Sequence, residues 1–192
     1  MKKFICVLAG LVAVIALHAQ TPEIMALNKK SAMRGNVKAM MRIAYCYEVG
    51  DGVPVDYSEA LKWYRYAAER GNKIAQYNTA VYYDIGKGVE KNKIEAAHWY
   101  REAAKQGHAI SQCNLGLCYE FGDGVQKDLA EAAKWYGKAA NQGEAAAQYN
   151  LGLCYLDGNG VAKNEDEAIK WLKKSAAQGY SLAADVLKEL GH

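Results

Sequence analysis

The stretch GDGVQKDLAEAAKWYGKAANQG, residues 122–143, decides the fold because its pattern recurs along the chain every 36 residues. Its tryptophan has counterparts at that step, so the chain carries Trp63, Trp99, Trp135 and Trp171. The glycines recur as well: Gly35, Gly71, Gly107, Gly143 and Gly179 keep the step, and so do Gly50/Gly52, Gly86/Gly88, Gly122/Gly124 and Gly158/Gly160. A fixed period of this length is the signature of an array of stacked structural repeats.

Each repeat predicts two α-helices, as residues 72–107 illustrate. Small residues recur with a helical period between Lys73 and Ile85, and Gly86 then supplies a left-handed C-terminal cap. The second helix opens with Asn92, and Glu95 follows three residues later. This spacing predicts a capping box, in which each side chain accepts a hydrogen bond from the other residue's backbone N–H. The same pair recurs as Asp56 with Glu59, Asp128 with Glu131, and Asn164 with Glu167.

The ends of the array are predicted to be half-repeats. A lone helix pair cannot cover its apolar face, so neighbouring pairs must stack to form a core. Residues 21–36 align with a second helix alone, and residues 180–192 align with a first helix alone. Lys188 replaces a small packing residue there, which is tolerable only where no further helix packs. The sequence therefore predicts one domain over residues 20–192, an all-α solenoid of four full helix-turn-helix repeats and two capping half-repeats.

Two segments resemble a known repeat family. The run AAQYNLGLCY (146–155) is similar to the first helix of a Sel-1-like repeat, and the runs GDGVQKD (122–128) and AAKWYGKAA (132–140) resemble its loop and second helix. The resemblance implies a right-handed solenoid, related to tetratricopeptide arrays, whose first helices line a concave surface. It also implies an adaptor for protein complexes. Some exported bacterial members of the family are thought to bind cell-wall fragments or host proteins.

The first 19 residues are predicted to be a secretory signal peptide. Lys2 and Lys3 precede an uncharged run from Phe4 to Leu17, and Ala19 is a small residue suited to cleavage. The run is short for a membrane span, although a retained interfacial anchor is the alternative. We therefore expect a periplasmic or secreted protein without a membrane span after cleavage. Without Lys2 and Lys3 the chain has 22 basic and 21 acidic residues, and no basic stripe indicates nucleic-acid binding.

No pattern in the sequence predicts catalysis, a metal or a cofactor. The recurring Glu residues follow Asp or Asn at cap spacing, and the Trp row lies one turn from Ala pairs, which favours a core role over a sugar-stacking platform. Residues 157–168 superficially resemble a calcium loop, but Val161 and Ala168 stand where oxygen ligands are required and Ala162 stands where glycine is required. No His has a Cys or carboxylate at ligand spacing. A cysteine-rich branch of the family has been linked to β-lactam hydrolysis, but no Ser here precedes a Lys by three residues.

The cysteines left after signal cleavage are Cys46, Cys113, Cys118 and Cys154. Three of them share one repeat position, so neighbours should lie about 8–10 Å apart, the usual helix-packing distance. A disulfide needs Cα atoms within about 7 Å. We therefore expect buried, reduced thiols.

The predicted partner-binding surface is the concave face of the first helices. Aromatic, amide and acidic side chains not required for packing recur there, and such a mixture suits an extended peptide. The candidate residues are Tyr77, Asn78, Asp84, Asn114, Glu120, Tyr149 and Asn150. The Asn row could instead form hydrogen bonds between repeats, and the acidic row could be a solvated rim. The leading hypothesis is an exported scaffold for protein–protein interactions; a cell-wall glycan or muropeptide binder is the alternative, and a β-lactamase-like hydrolase comes third.

Overall fold

A computed structural model describes residues 21–192, and the predicted signal peptide, residues 1–19, lies outside them. Within that range the chain is helical, without a strand. The helices are α1 (Pro22–Met33), α2 (Val37–Val49), α3 (Tyr57–Glu69), α4 (Lys73–Ile85), α5 (Lys93–Lys105), α6 (Ala109–Phe121), α7 (Leu129–Asn141), α8 (Ala145–Asp157), α9 (Glu165–Ala176) and α10 (Ser181–Glu189). Helices α2 to α9 form the four predicted pairs, and α1 and α10 are the two half-repeats. The predicted all-α architecture with its 36-residue period is confirmed.

The described chain divides into two compact units. The N-terminal unit ends at Gln106, and the C-terminal unit runs from Gly107 to His192. Each unit contains two full helix pairs and one half-repeat. Across residues 21–192, no helix has both the length and the apolar character that crossing a bilayer requires.

The first helix of each full repeat ends as predicted, and the second begins with a simpler cap than expected. Gly86 closes α4 with φ +74°, and its N–H donates to the Tyr82 carbonyl. At the start of α7, Asp128 Oδ1 accepts from the backbone N–H groups of Ala130 and Glu131, at 2.9 and 3.0 Å.

The second half of the predicted capping box is wrong. The backbone N–H of Asp128 donates to the Tyr119 carbonyl at 2.9 Å, so it is not available to the Glu131 side chain. Glu131 instead pairs with Lys134 at 2.7 Å. The same arrangement holds in the first repeat, where Glu59 pairs with Lys62 at 3.0 Å. The carbonyl of the preceding helix therefore replaces the glutamate as the acceptor.

Small residues let the two helices of a repeat approach closely, as the sequence predicts. A Cβ atom at Gly116 would lie 2.5 Å from the ring of Tyr136, and one at Gly152 would lie 2.8 Å from Leu172. In the terminal half-repeat this position is Lys188, whose side chain is exposed. The core is consequently a series of large side chains set against small ones.

Each unit also contains a contact between the loop of one repeat and the second helix of the repeat before it. A Cβ atom at Gly88 would lie 2.5 Å from the backbone of Tyr57, and one at Gly160 would lie 1.9 Å from the Leu129 carbonyl oxygen. Both glycines have positive φ, +68° and +75°. The second glycine of the loop is therefore required for close approach as well as for turn geometry.

The tryptophans and cysteines lie where the repeat pattern places them. Trp63, Trp99 and Trp171 are buried, which confirms the core role for these three, whereas Trp135 is half-buried beneath the Lys138 ammonium, 3.7 Å from its ring centroid. The remaining cysteines are all buried and unbridged: Cys46, Cys113, Cys118 and Cys154.

Candidate functional site

The predicted acidic row points into the repeats. Glu120 Oε2 accepts a hydrogen bond from the Tyr136 hydroxyl at 2.7 Å, and Glu48 accepts from Tyr64 at the same distance. Asp84 accepts from Tyr100 at 3.4 Å. Each acid lies near the end of a first helix, and its tyrosine lies 16 residues later on the second helix of the same repeat. In the last repeat both positions are leucine, Leu156 and Leu172.

Cations of the same unit complete the contacts of two of these acids. Lys93 forms an ion pair with Asp84, and Lys87 donates to Glu48 at 2.8 Å. Burial, together with the neighbouring carboxylate, raises the pKa of the Tyr64 and Tyr136 hydroxyls well above the ordinary tyrosine value. Asp84 and Glu120, predicted to attract basic side chains of a partner, thus already have hydrogen-bond partners inside their repeats and are buried.

The predicted tyrosines also lie inside their units. Tyr77 is buried with its ring centroid 6.2 Å from that of Tyr100. Tyr149 is buried with its centroid 5.3 Å from that of Tyr180. Such tilted aromatic pairs add to the stability of a core, so both tyrosines have a packing role that sequence reasoning did not identify.

The three predicted asparagines occupy different environments. Asn78 is half-buried and reaches the surface of the N-terminal unit. Asn150 is buried, and its Nδ2 lies 3.8 Å from the Cys113 sulfur in a weak hydrogen bond between successive first helices. Asn114 is buried, and its amide atoms have no hydrogen-bond partner among residues 21–192. The Asn150 contact supports the inter-repeat interpretation for that residue.

On the N-terminal unit, the first helices expose a stripe of mainly apolar side chains. The first-helix stripe consists of equivalent residues on two successive first helices: Arg42, Tyr45 and Val49 on α2, and Asn78, Val81 and Ile85 on α4. Val49 and Ile85 are 45% and 50% exposed although both are aliphatic. A helical spacing of three, four and seven residues places each set on one face of its helix. Of the predicted residues, only Asn78 belongs to this stripe.

A glutamine ladder, which the sequence analysis missed, connects the helices within each unit. In the N-terminal unit, Gln106 Nε2 donates to Gln76 Oε1 at 2.7 Å, and Gln76 Nε2 donates to the Ala68 carbonyl at 3.2 Å. The C-terminal unit repeats the ladder: Gln142 donates to Gln112 at 2.7 Å, Gln178 to Gln148 at 2.8 Å, and Gln148 to the Ala140 carbonyl at 3.2 Å. The 36-residue recurrence of these glutamines was the available signal. The ladder provides hydrogen-bond partners for buried amides. It is therefore part of the internal packing and hydrogen bonding that hold the repeats together, which we call the frame.

Residues 21–192 contain no cluster of three side chains suited to hold a metal ion.

Comparisons with known proteins identify the repeat. A family model of the Sel1 repeat matches residues 37–72, 73–108, 109–144 and 145–180. Solved structures agree. A protective antigen of uropathogenic Escherichia coli with an SLR fold is 35% identical (TM-score 0.80; 84% of this chain, 34% of that chain). A Sel1 repeat protein of Oxalobacter formigenes is 37% identical (TM-score 0.78; 84% of this chain, 66% of that chain).

The Helicobacter pylori cysteine-rich protein B is more distant, at 27% identity and a TM-score of 0.55, over 69% of this chain and 95% of that chain. This chain spans about a third of the first of these structures and 66% of the second. No functionally curated protein matches it. Because the four matched repeats cover residues 37–180, the chain belongs to the Sel1 repeat family.

Proposed function

We propose that this chain is an exported, non-catalytic scaffold that binds a peptide segment of a protein partner across the first-helix stripe. Sel1 repeats generally serve as scaffolds for protein–protein interactions, and the chain has that scaffold fold. Export rests on the pattern of residues 1–19 in the sequence. The observation that carries the proposal is the pair Val49 and Ile85, aliphatic residues at one repeat position that remain half exposed.

The composition of the stripe favours a peptide. Tyr45, Val81 and Ile85 offer apolar area, and aromatic side chains are enriched at the centres of protein interfaces. Arg42 and Asn78 lie beside them and supply donors and an acceptor for the partner's backbone. The frame does not require these side chains to be apolar, because the internal hydrogen bonds and the glutamine ladder already connect the helices.

A site-specific photocrosslinking experiment tests this proposal. A photoreactive amino acid replaces Ile85 in one variant and Ile94 in another, and each protein is exposed to envelope extract. Ile94 is the matched control because it is exposed but lies on the second helix α5. We expect one partner to be crosslinked from position 85 and not from position 94. Equal crosslinking at both positions, or none at position 85, would contradict the proposal.

Alanine substitutions then separate the stripe from the frame. Tyr45→Ala or Ile85→Ala should weaken partner binding by about fivefold or more, since truncating an interface anchor costs more than about 1 kcal/mol. Ile94→Ala serves as control, because Ile94 is exposed but lies on the second helix α5. Asn114→Ala should leave partner affinity unchanged, because Asn114 is buried. Weaker binding by this variant would restore the predicted groove around Asn114.

A further inference from the structure

The N-terminal unit contains a pocket that the repeat frame does not explain. It is a half-open cleft between α3, the end of α4 and the loop that follows α4, and its volume is about 430 Å³, within the usual range for ligand sites. We define the Arg65 pocket by the residues that the argument uses: Leu61, Arg65, Tyr66, Glu69, Tyr83 and Val89.

Two side chains of this pocket differ from their counterparts in the next two repeats. Leu61 is replaced by Ala97 and Ala133 in the next two repeats, and Tyr66 is replaced by Glu102 and Lys138. Lys62 also lines the pocket, but its ion pair with Glu59 recurs in the later repeats as part of the frame. Residues that vary while the frame is maintained are those expected to serve recognition.

Arg65 has hydrogen-bonding capacity that its present contacts do not use. Its Nη1 donates to the Tyr83 hydroxyl at 3.4 Å, and its Nη2 lies 3.7 Å from Glu69. The side chain is 48% exposed. At the equivalent position of the N-terminal half-repeat, Lys29 donates to the Tyr47 hydroxyl at 3.0 Å. A lysine therefore suffices for the tyrosine contact, whereas arginine adds a planar fork of donors suited to a carboxylate.

The remaining walls suit an apolar side chain beside such a carboxylate. Leu61 and Val89 are aliphatic, and Tyr66 is 39% exposed although its ring packs edge-on against Trp63 at 5.5 Å. The net charge of the N-terminal unit also favours an acidic ligand. Residues 21–106 contain 14 Lys and Arg against ten Asp and Glu, whereas residues 107–192 contain eight against 11. A basic surface favours the approach of an acidic ligand.

We propose that the Arg65 pocket binds a peptide carboxylate and the apolar side chain next to it, with Arg65 holding the carboxylate and Leu61, Tyr66 and Val89 enclosing the side chain. This inference rests on the proposed function, because it assigns a second contact to the same protein partner. The carboxylate can belong to an acidic side chain or to the end of the partner's chain.

Calorimetric titration with three small probes tests the recognition. The probes are N-acetyl-Leu-Leu with a free carboxylate, N-acetyl-Asp-Leu-amide, and N-acetyl-Leu-Leu-amide. We expect at least one acidic probe to bind at least tenfold more tightly than the neutral amide, and the preferred acid identifies the source of the carboxylate. Equal binding of all three, or no binding, would overturn the inference. So would equally tight binding of glucuronate, which carries a carboxylate without an apolar side chain.

Two variants with matched controls locate the site. Arg65→Lys keeps the charge and the tyrosine contact but removes the planar pair of donors. It should therefore lower the affinity for the acidic probe at least fivefold. Arg101→Lys makes the same change at the equivalent position of the next repeat and should leave binding unchanged. Tyr66→Ala should weaken the probe, whereas Lys138→Ala, at the same position of the third repeat, should not. Equal effects of a variant and its control would place the binding elsewhere.

The outcome separates this inference from the proposed function. If crosslinking from position 85 succeeds and the acidic probes fail to bind, the pocket assignment is wrong and the stripe stands. If the probes bind through Arg65 and position 85 crosslinks nothing, the stripe is wrong and the pocket remains as an independent site.

Discussion

The hydrogen bond from Tyr136 to Glu120 should contribute measurably to stability, and Tyr136→Phe removes it with little other change. The ring of Tyr136, which packs on Gly116, is retained in phenylalanine. The hydroxyl lies 2.7 Å from Glu120 Oε2, and both side chains are buried. A hydrogen bond to a charged group contributes about 1.5–3 kcal/mol. For a chain of this size, each kcal/mol lowers the melting temperature by about 2–4 °C, so we expect a decrease of about 3–12 °C.

The last repeat suggests how the two residues depend on each other. There the acid and the tyrosine are both replaced, by Leu156 and Leu172, so no polar group is left without its partner. Accordingly, Glu120→Leu alone should be costly because it leaves the Tyr136 hydroxyl buried and unpaired. The double variant Glu120→Leu with Tyr136→Phe should cost less than the sum of the two single variants, by about 1–3 kcal/mol.

Thermal and urea unfolding, both monitored by far-ultraviolet circular dichroism, measure the melting temperature and the unfolding free energy of all four proteins of this cycle. Tyr155→Phe is the control, since that hydroxyl lies in the same unit and forms no hydrogen bond with any of residues 21–192. The control should remain within about 0.5 kcal/mol of the parent protein. Additive effects of the two substitutions, or an equal effect of the control, would refute the reasoning.

Three further predictions concern the frame. Trp99→Ala should cost about 3–5 kcal/mol as a large core aromatic is lost, while His98→Ala on the exposed face of the same helix should barely change the melt; a small loss at Trp99 would revive a ligand role for it. When the chain from residue 20 is unfolded and alkylated without a reducing agent, mass spectrometry should show four modified thiols, and any disulfide would contradict this. In the native state Cys46 should react slowly with the alkylating reagent, because burial raises its pKa to about 11. The unfolding free energy should also fall above about pH 10, the pKa of unfolded tyrosine. Burial raises the pKa of Tyr64, Tyr82 and Tyr136, so the folded state keeps protons that the unfolded state loses, and each of these tyrosines contributes a decrease of about 1.4 kcal/mol per pH unit. An unfolding free energy that stays constant between pH 10 and 11 would exclude this effect.

The elements that depend on local sequence were predictable. Gly86 and its counterparts end helices through their own backbone conformation, and Asp128 caps the helix that it precedes. Small residues such as Gly116 on a buried face also predict a close helix contact, because only a closely packed helix requires a small side chain there.

The candidate site was less predictable, because helical periodicity gives the face of a side chain and not its partner. Glu120 and Tyr136 lie on different helices, and only the crossing of those helices brings them together. The sequence did contain a signal in the correlated replacement of both residues by leucine in the last repeat. Periodicity likewise places Tyr77 and Tyr149 on the predicted binding face. It does not reveal their ring contacts with Tyr100 and Tyr180, because these contacts depend on tertiary packing.

The close contact of the loop glycines with the preceding repeat has a consequence for protein synthesis. Gly88 packs against Tyr57 and Gly160 against Leu129, so in each case the two partners lie 31 positions apart in the sequence. As the chain leaves the ribosome, the beginning of a second helix stays uncovered until the loop of the next repeat has emerged. In each unit, the earlier repeat is thus completed only when the loop of the later repeat has been synthesised, and until then the start of its second helix is exposed.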